Sequence, residues 1–421
     1  MDVGSILIVL PVLIIFSYLF DILAIRTKFP SVILLVLTGI IARSISTYYG
    51  FDNFKFLDNL VPVLGTIGLI LIVLEAALEL EIKREKMDII IKGFMAALII
   101  LLINIVLVSL FFEKIIGLPH PTSVIYAIPL SIISSAVAIP SASGLINKNK
   151  EFIVYESTFS DILGIMFFYY SIRLAEKGES LIGFEPILTL IGQIILIIVL
   201  SLAITYLLFQ LIQRIEHHVK FFLILALLIL AYEIGKDILK LPSLVLIFIF
   251  GIFLGNFSNL IPERLKKYTK TVKVDNRDLH EFNLLTSEST FLVRTFFFLF
   301  FGFSIPLESF IEFEPYIIGA TVLLIMYGVR YFYLTTTNND NESKPLIYFS
   351  PRGLITILLF LSIADYEIVK SNIIDEKVLL VIIIASMLIM IQGSITQKKD
   401  EYKNEEDSQQ SLSEIVDEQI D

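Results

Sequence analysis

Apolar residues in this chain come in long blocks rather than in alternation. Stretches such as IILIIVLSLAITYLL have no polar beat of period two, which excludes the in–out pattern of barrel strands. Thirteen blocks are candidate bilayer-crossing helices, the second and ninth of them short and flanked by Pro30 and Pro242, given that about 20 residues at ~1.5 Å rise span a hydrocarbon core of ~30 Å. They cover roughly residues 5–25, 30–46, 57–80, 88–112, 122–146, 152–175, 186–212, 219–236, 242–257, 287–304, 315–335, 345–364 and 377–396. The pattern predicts an all-α polytopic membrane protein. Two blocks carry helix breakers in mid-run. The fifth reads AIPLSIISSAVAIPSASGLI, with serines Ser135 and Ser141 around Pro140, and the twelfth reads PLIYFSPRGLITILLFL, with Pro351-Arg352-Gly353. Taken as two six-span units flanking the seventh block, the breaks fall in the fifth member of each unit, and the odd linker inverts the second unit in the membrane. Paired interrupted helices in inverted repeats are the sequence pointer to a transporter's binding site. Their freed carbonyls and half-helix ends can ligate or neutralise ions. The broken-helix candidates are therefore Ser135, Ala138, Ile139, Pro140, Ser141, Arg352 and Gly353.

The sixth block, FIVYESTFSDILGIMFFYY, holds two carboxylates, Glu156 and Asp161. Asp161 lies near mid-membrane, where a charge costs at least ~2.5–3.5 kcal/mol on insertion scales and is expected to have a function. Five positions separate the two carboxylates, about 140° around a helix, so they face different neighbours. Ser157, four residues before Asp161, shares its face. Arg330, in LLIMYGVRYFYL, is expected at the depth of Glu156, each about one turn in from the same membrane face, and opposite charges at one depth reduce the cost of burial. Glu75 lies deep in the third block as a candidate second carboxylate. Arg294, within FLVRTFFFLFF, reads as structural, and Glu79 and Glu81 as interfacial. All four histidines, His120, His217, His218 and His280, are expected in loops, and no transition-metal site is expected.

Composition sharpens this picture in three places. Of 421 residues, 56% are hydrophobic and only 18% charged, against about 25% charged in soluble domains. The net charge of −10 owes much to residues 398–421, where nine acidic residues meet three lysines, and it leaves no case for a nucleic-acid partner. That tail, from 397 onward, is low in aromatics and is expected to be disordered. One set of loops carries sixteen Lys and Arg, among them Lys83, Arg84, Lys86 and Lys150, and the alternate set carries eight. The positive-inside rule therefore puts the amino terminus outside and the tail in the cytoplasm. The connection from Ser258 to Glu288 is basic and reads as a solvated cytoplasmic loop, with contact to anionic lipid as the second option. The start lacks a basic n-region, so the first block is expected to be a retained helix. With no cysteine, redox chemistry says nothing about the compartment.

In order along the chain, several stretches resemble the sodium/proton exchangers of the monovalent cation:proton antiporter superfamily. LGTIGLILIVLEAALELEI at 64–82 is similar to the family's third span, LPSLVLIFIFGIFLGN and RTFFFLFFGFSI to its ninth and tenth, and SPRGL at 350–354 to the Arg-Gly element of its broken twelfth helix. YESTFSDILGI resembles the Glu-Ser-x-x-Asn-Asp signature. The resemblance implies that Asp161 binds the ion and the proton, with Ser157 and Ser160 nearby, and that Glu156 pairs with Arg330. It also implies a homodimer in a bacterial or archaeal cell membrane, a role in pH homeostasis, and no cofactor. Residues 1–87 and 217–308 would form the scaffold, 88–176 and 309–396 the transport core, 177–216 the linker helix and 397–421 the tail. Two departures stand out. Ser160 replaces the usual Asn or Asp, and Ile139-Pro140 stands where many members have Asp-Pro.

The expected activity is exchange of Na⁺ or another monovalent cation for H⁺ across the lipid bilayer. A potassium/proton antiporter is the alternative that Ser160 keeps open. An intramembrane aspartyl protease would need two mid-membrane aspartates in Tyr-Asp and Gly-x-Gly-Asp motifs, and the chain has neither motif. A selective channel would need a filter sequence, and none stands out.

Overall fold

The computed structural model describes residues 11–20, 22–23, 30–50, 56–142, 145–178, 184–214, 221–238, 243–256, 276–305, 312–337, 341–366 and 374–393. Helices form because the apolar blocks leave the backbone no other way to satisfy its N–H and C=O groups in lipid. In chain order they are α1 (Pro11–Phe20), α2 (Ser31–Tyr48), α3 (Phe56–Glu79), α4 (Met87–Phe111), α5 (His120–Ser131), α6 (Ser135–Ser141), α7 (Asn147–Glu176), α8 (Phe184–Arg214), α9 (Phe221–Glu233), α10 (Leu244–Gly255), α11 (Asn276–Ser304), α12 (Glu314–Thr337), α13 (Leu354–Ser362) and α14 (Glu376–Gly393). Among the described residues there is no strand, and eight helices are long and apolar enough to cross a membrane. Each of the thirteen expected spans overlaps helix.

Several boundaries differ from the sequence expectation. α11 begins at Asn276, so the part of the basic connection from there to Glu288 is helical, and residues 258–275 lie outside the described residues. His280 is consequently a helical residue and His120 opens α5, while His217 and His218, like the acidic tail and the first ten residues, lie outside the described residues. α7 begins at Asn147, through a polar turn that hydropathy alone does not count. This sets Glu156 ten residues into its helix rather than about one turn in.

Glycines bring some helices into backbone contact. A Cβ on Gly39 of α2 would collide with Leu299 of α11, and one on Gly302 of α11 with Val36 of α2. Gly251 and Gly255 of α10 stand in the same relation to Leu74, Ala77 and Leu78 of α3. In the second group of packed helices, Gly93 of α4 sits against Tyr155 and Glu156 of α7. The short connection after α3 is gripped from two sides. Asn256, at the end of α10, donates to the Leu80 carbonyl at 2.6 Å and accepts the Ile82 N–H at 2.7 Å. Tyr155 of α7 donates its hydroxyl to the Glu81 carbonyl at 2.8 Å.

Candidate functional site

The break in the fifth span is not at Pro140. α5 ends at Ser131 and α6 starts at Ser135, so the interruption is Ile132-Ile133-Ser134, and Ala138, Ile139, Pro140 and Ser141 lie within α6. Tertiary acceptors hold it open. The N–H of Ile133 donates to Ser160 Oγ at 3.0 Å, that of Ser134 to the Pro351 carbonyl at 2.9 Å, and that of Ser135 to Asp161 Oδ2 at 3.1 Å. Pro140 lacks the donor that would serve the Ala136 carbonyl four residues back. Arg294 Nη1 donates to that carbonyl instead, at 3.3 Å, which is the structural role of an arginine in an aromatic span.

The second break, Tyr348 to Gly353, crosses the first. Its N-terminal half is a short 3₁₀ segment, Asn341–Ile347, and its C-terminal half is α13. Gly353 is required by this approach, because a Cβ there would stand 2.5 Å from Ser134 Oγ and 2.9 Å from Val137. Arg352 is buried without a carboxylate. Its guanidinium donates to the Leu130 carbonyl at 2.6 Å, the Ser350 carbonyl at 2.7 Å and Ser350 Oγ at 2.9 Å, and it also contacts Met326 Sδ. It therefore places positive charge at the C-terminal end of α5, where the helix dipole is negative.

α7 supplies the carboxylates. Asp161 stands at the midpoint of this 30-residue helix and is 2% exposed. One of its oxygens takes the Ser135 N–H, and the other, Oδ1, has no hydrogen-bond partner among the described residues. Ser157, a turn earlier, donates to the Ile153 carbonyl of its own helix, which leaves its lone pairs available. Ser160 spends its oxygen on the Ile133 N–H. Glu156 turns the other way, toward α12. There Arg330 meets it in a bidentate pair, Nη1 to Oε1 at 2.6 Å and Nη2 to Oε2 at 2.9 Å, while its Nε donates to the Leu346 carbonyl at 2.8 Å. Both residues are 0–1% exposed. Planar fork-to-carboxylate geometry is the form in which a buried charge pair is best compensated.

A cavity of about 730 Å³ reaches this region. Ser135, Ala136, Ile139 and Pro140 of α6 form part of its lining, as do Glu75 and Glu79 of α3 and Arg294 of α11. Glu75 faces Arg294, Ser287 and Thr290 of α11. Ser287, Thr290 and Arg294 recur at helical spacing on one polar face of α11, a signal the sequence carries and that a reading for apolar runs passes over. At the mouth, Lys86 bridges Glu81 at 3.0 Å and Glu151 at 2.8 Å. Glu81, outside the spans, is held below the usual carboxylate range by hydrogen bonds from Lys83 and Lys86 and stays charged there.

The geometry thus combines a buried carboxylate with one uncommitted oxygen, two crossed helix breaks and a cavity lined by Ser135, whose N–H holds that carboxylate. Solved structures with the same fold include two of the sodium proton antiporter MjNhaP1 from Methanocaldococcus jannaschii. One, at pH 8, has a TM-score of 0.69 and 21% identity over 94% of this chain and 99% of that one. The other, from an electron-microscopy map, has a TM-score of 0.67 and 21% identity over 94% and 96%. No match is found among curated proteins. Residues 12–398 match the family described as sodium/hydrogen exchanger, transmembrane, and the chain therefore belongs to that family.

Proposed function

We propose that the protein is a secondary antiporter that exchanges Na⁺, or another monovalent cation, for H⁺ through Asp161. The observation that carries this reading is the Asp161 carboxylate itself, at the middle of α7, with one oxygen fixed by the Ser135 N–H and the other without a partner among the described residues. A carboxylate that binds either a cation or a proton couples the two fluxes by competition, because both need the same oxygens. Ser157 is suited to add a neutral oxygen from the same face. Glu156, bound through both oxygens by Arg330, is committed to holding α7 against α12 and is not the exchanging group.

Alternating access would come from the group α4–α7 with α12–α14 moving against α1–α3 and α9–α11. The cavity mouth is formed by Lys86, Lys150 and Glu81, on the side with the larger share of basic residues, which favours an opening to the cytoplasm. Exposed apolar side chains on the outward faces of α2 and α8, among them Ile41, Ile45, Leu196 and Val199, suit lipid or a second copy. Purified protein in proteoliposomes with an entrapped pH dye tests the reading. Addition of Na⁺, Li⁺ or K⁺ should release lumenal acid in wild type, and the cation with the lowest half-saturating concentration is the substrate. Absence of proton movement with all three would overturn it.

A further inference from the structure

Three buried side-chain oxygens around the crossed breaks have no hydrogen-bond partner among the described residues: Asp161 Oδ1, Ser134 Oγ and Thr356 Oγ1. Ser134 and Thr356 are each 0% exposed. An unpaired buried hydroxyl is costly, and each such group needs a physical reason. The reason here is the breaks themselves. Thr158, Thr286, Thr290 and Thr335 each donate to the carbonyl four residues back in their helices, whereas Thr356, like Thr205 of α8, does not. For Thr356 that residue is Arg352, which precedes the first residue of α13 and has no helical carbonyl to offer. Ser134 lies in the interruption between α5 and α6.

Ser134 and Asp161 come from elements that meet at the crossing, and Thr356 follows the second break by three residues. Ser134 is tied to the second break through its N–H on the Pro351 carbonyl, and its hydroxyl lies against Gly353. The N–H of the next residue, Ser135, holds the other oxygen of Asp161. Thr356 shares a face of α13 with Phe360, one turn on, and the Phe360 ring packs on Tyr126 of α5 with centroids 5.4 Å apart. Leu354 and Leu358 occupy the other face, toward Gly68 and Gly65 of α3. Thr356 is therefore turned to the end of α5 and away from α3.

We propose that the hydroxyls of Ser134 and Thr356 are ligands of the transported cation, which is then held by oxygens from both broken helices together with Asp161. This rests on the antiport reading above. A dehydrated cation needs oxygens in place of its water shell, and the number and strength of those oxygens set which ion is preferred. Neutral hydroxyls supply them without adding charge, so the site is neutral with either cation or proton aboard. A hydroxyl can also rotate, accepting a hydrogen bond from protonated Asp161 in the other half of the cycle.

The test uses full-length protein in proteoliposomes and measures KM for Na⁺, Li⁺ and K⁺. Thr356→Val keeps the shape and removes the hydroxyl, Thr356→Ser keeps the hydroxyl, and Ser134→Ala removes the other one. The Val and Ala variants should each raise KM for the substrate cation by about tenfold, the loss of about one ligand hydrogen bond's worth of binding. Thr356→Ser should restore it, and the maximal rate should change less than KM. Thermal protection of detergent-solubilised protein by the same cation should weaken in parallel, independently of transport. If Thr356→Val and Ser134→Ala keep wild-type KM and wild-type protection while the parent protein exchanges cation for protons, the hydroxyls are not ligands and the antiport reading stands. If the parent protein exchanges no cation, both fall. Should Thr356→Val fail to fold, Ser134→Ala and Thr356→Ala, which also lacks the hydroxyl, decide the matter by the same KM and protection readouts.

Discussion

At the scale of single residues, Asp161 and Glu156 lie five positions apart on one helix and have opposite fates. Asp161 keeps an oxygen free, whereas Glu156 gives both of its oxygens to Arg330. Replacing Asp161 with Asn preserves shape and the contact with the Ser135 N–H but removes the titrating group. Asp161→Asn should elute as folded protein on size exclusion and show no cation-driven proton flux, and robust flux would refute the assignment. The ion pair makes a different prediction. Removing one partner leaves the other buried and uncompensated, at roughly 3–5 kcal/mol. Glu156→Gln and Arg330→Ala should each lower the melting temperature in detergent, and the double variant should lose less than the sum of the two. Additive losses would mean that the two residues do not stabilise each other. The divergence of these carboxylates was legible in the sequence, because 500° of helical rotation leaves them on different faces. The uncommitted hydroxyls were not legible, since a serine or threonine shows its partner only once the helix beneath it is known to stop.

Among the elements, the second break was legible and the first was misplaced. Proline drew attention to Ile139-Pro140, but Pro140 lies within α6, and Arg294 serves the carbonyl that the proline leaves without its helical donor. The true interruption contains two isoleucines and a serine, residues with no local reason to leave a helix. It is held open by Ser160, Asp161 and Pro351, acceptors that are 26 or more positions away in sequence. Such a break is a tertiary product and does not show in local propensity. Glycines in α12 and at the crossing give a paired test. Gly353→Ala puts a methyl group into Ser134 and Val137 and should both destabilise the protein and lower the exchange rate, with Ser134 unable to retreat while bonded to Pro351. Gly328→Ala meets nothing within 4 Å in mid-helix and should be neutral or stabilise by up to ~1 kcal/mol through helix propensity. Equal behaviour of the two in thermal melts would show that the crossing tolerates expansion.

For the whole molecule, the order of the motifs along the chain identified the fold better than any one of them did, and the match over residues 12–398 reflects that order. One exchanging carboxylate predicts one-for-one exchange. With potential clamped by valinomycin, Na⁺ uptake should be indifferent to imposed voltage, and uptake that follows the voltage would mark Glu75, which lines the cavity, as a second proton carrier. In that case Glu75→Gln should restore voltage indifference.

The glycine contacts between α2 and α11, and between α3 and α10, have a mechanical consequence. Where backbone rests on backbone there are no rotamers to rearrange, so the seam cannot shear by the small sliding that packed side chains allow. The slab so formed can only turn as one piece. Contacts across its face toward α6 and α7 are of another kind, single bonds such as Tyr155 to Glu81 and Arg294 to Ala136 that can open one at a time. The connection at residues 80–82 should stay with α10, which grips it through two hydrogen bonds from Asn256, and part from α7, which holds it by one. A covalent tether between α2 and α11 should therefore leave turnover intact, while a tether from that connection to α7 should arrest it.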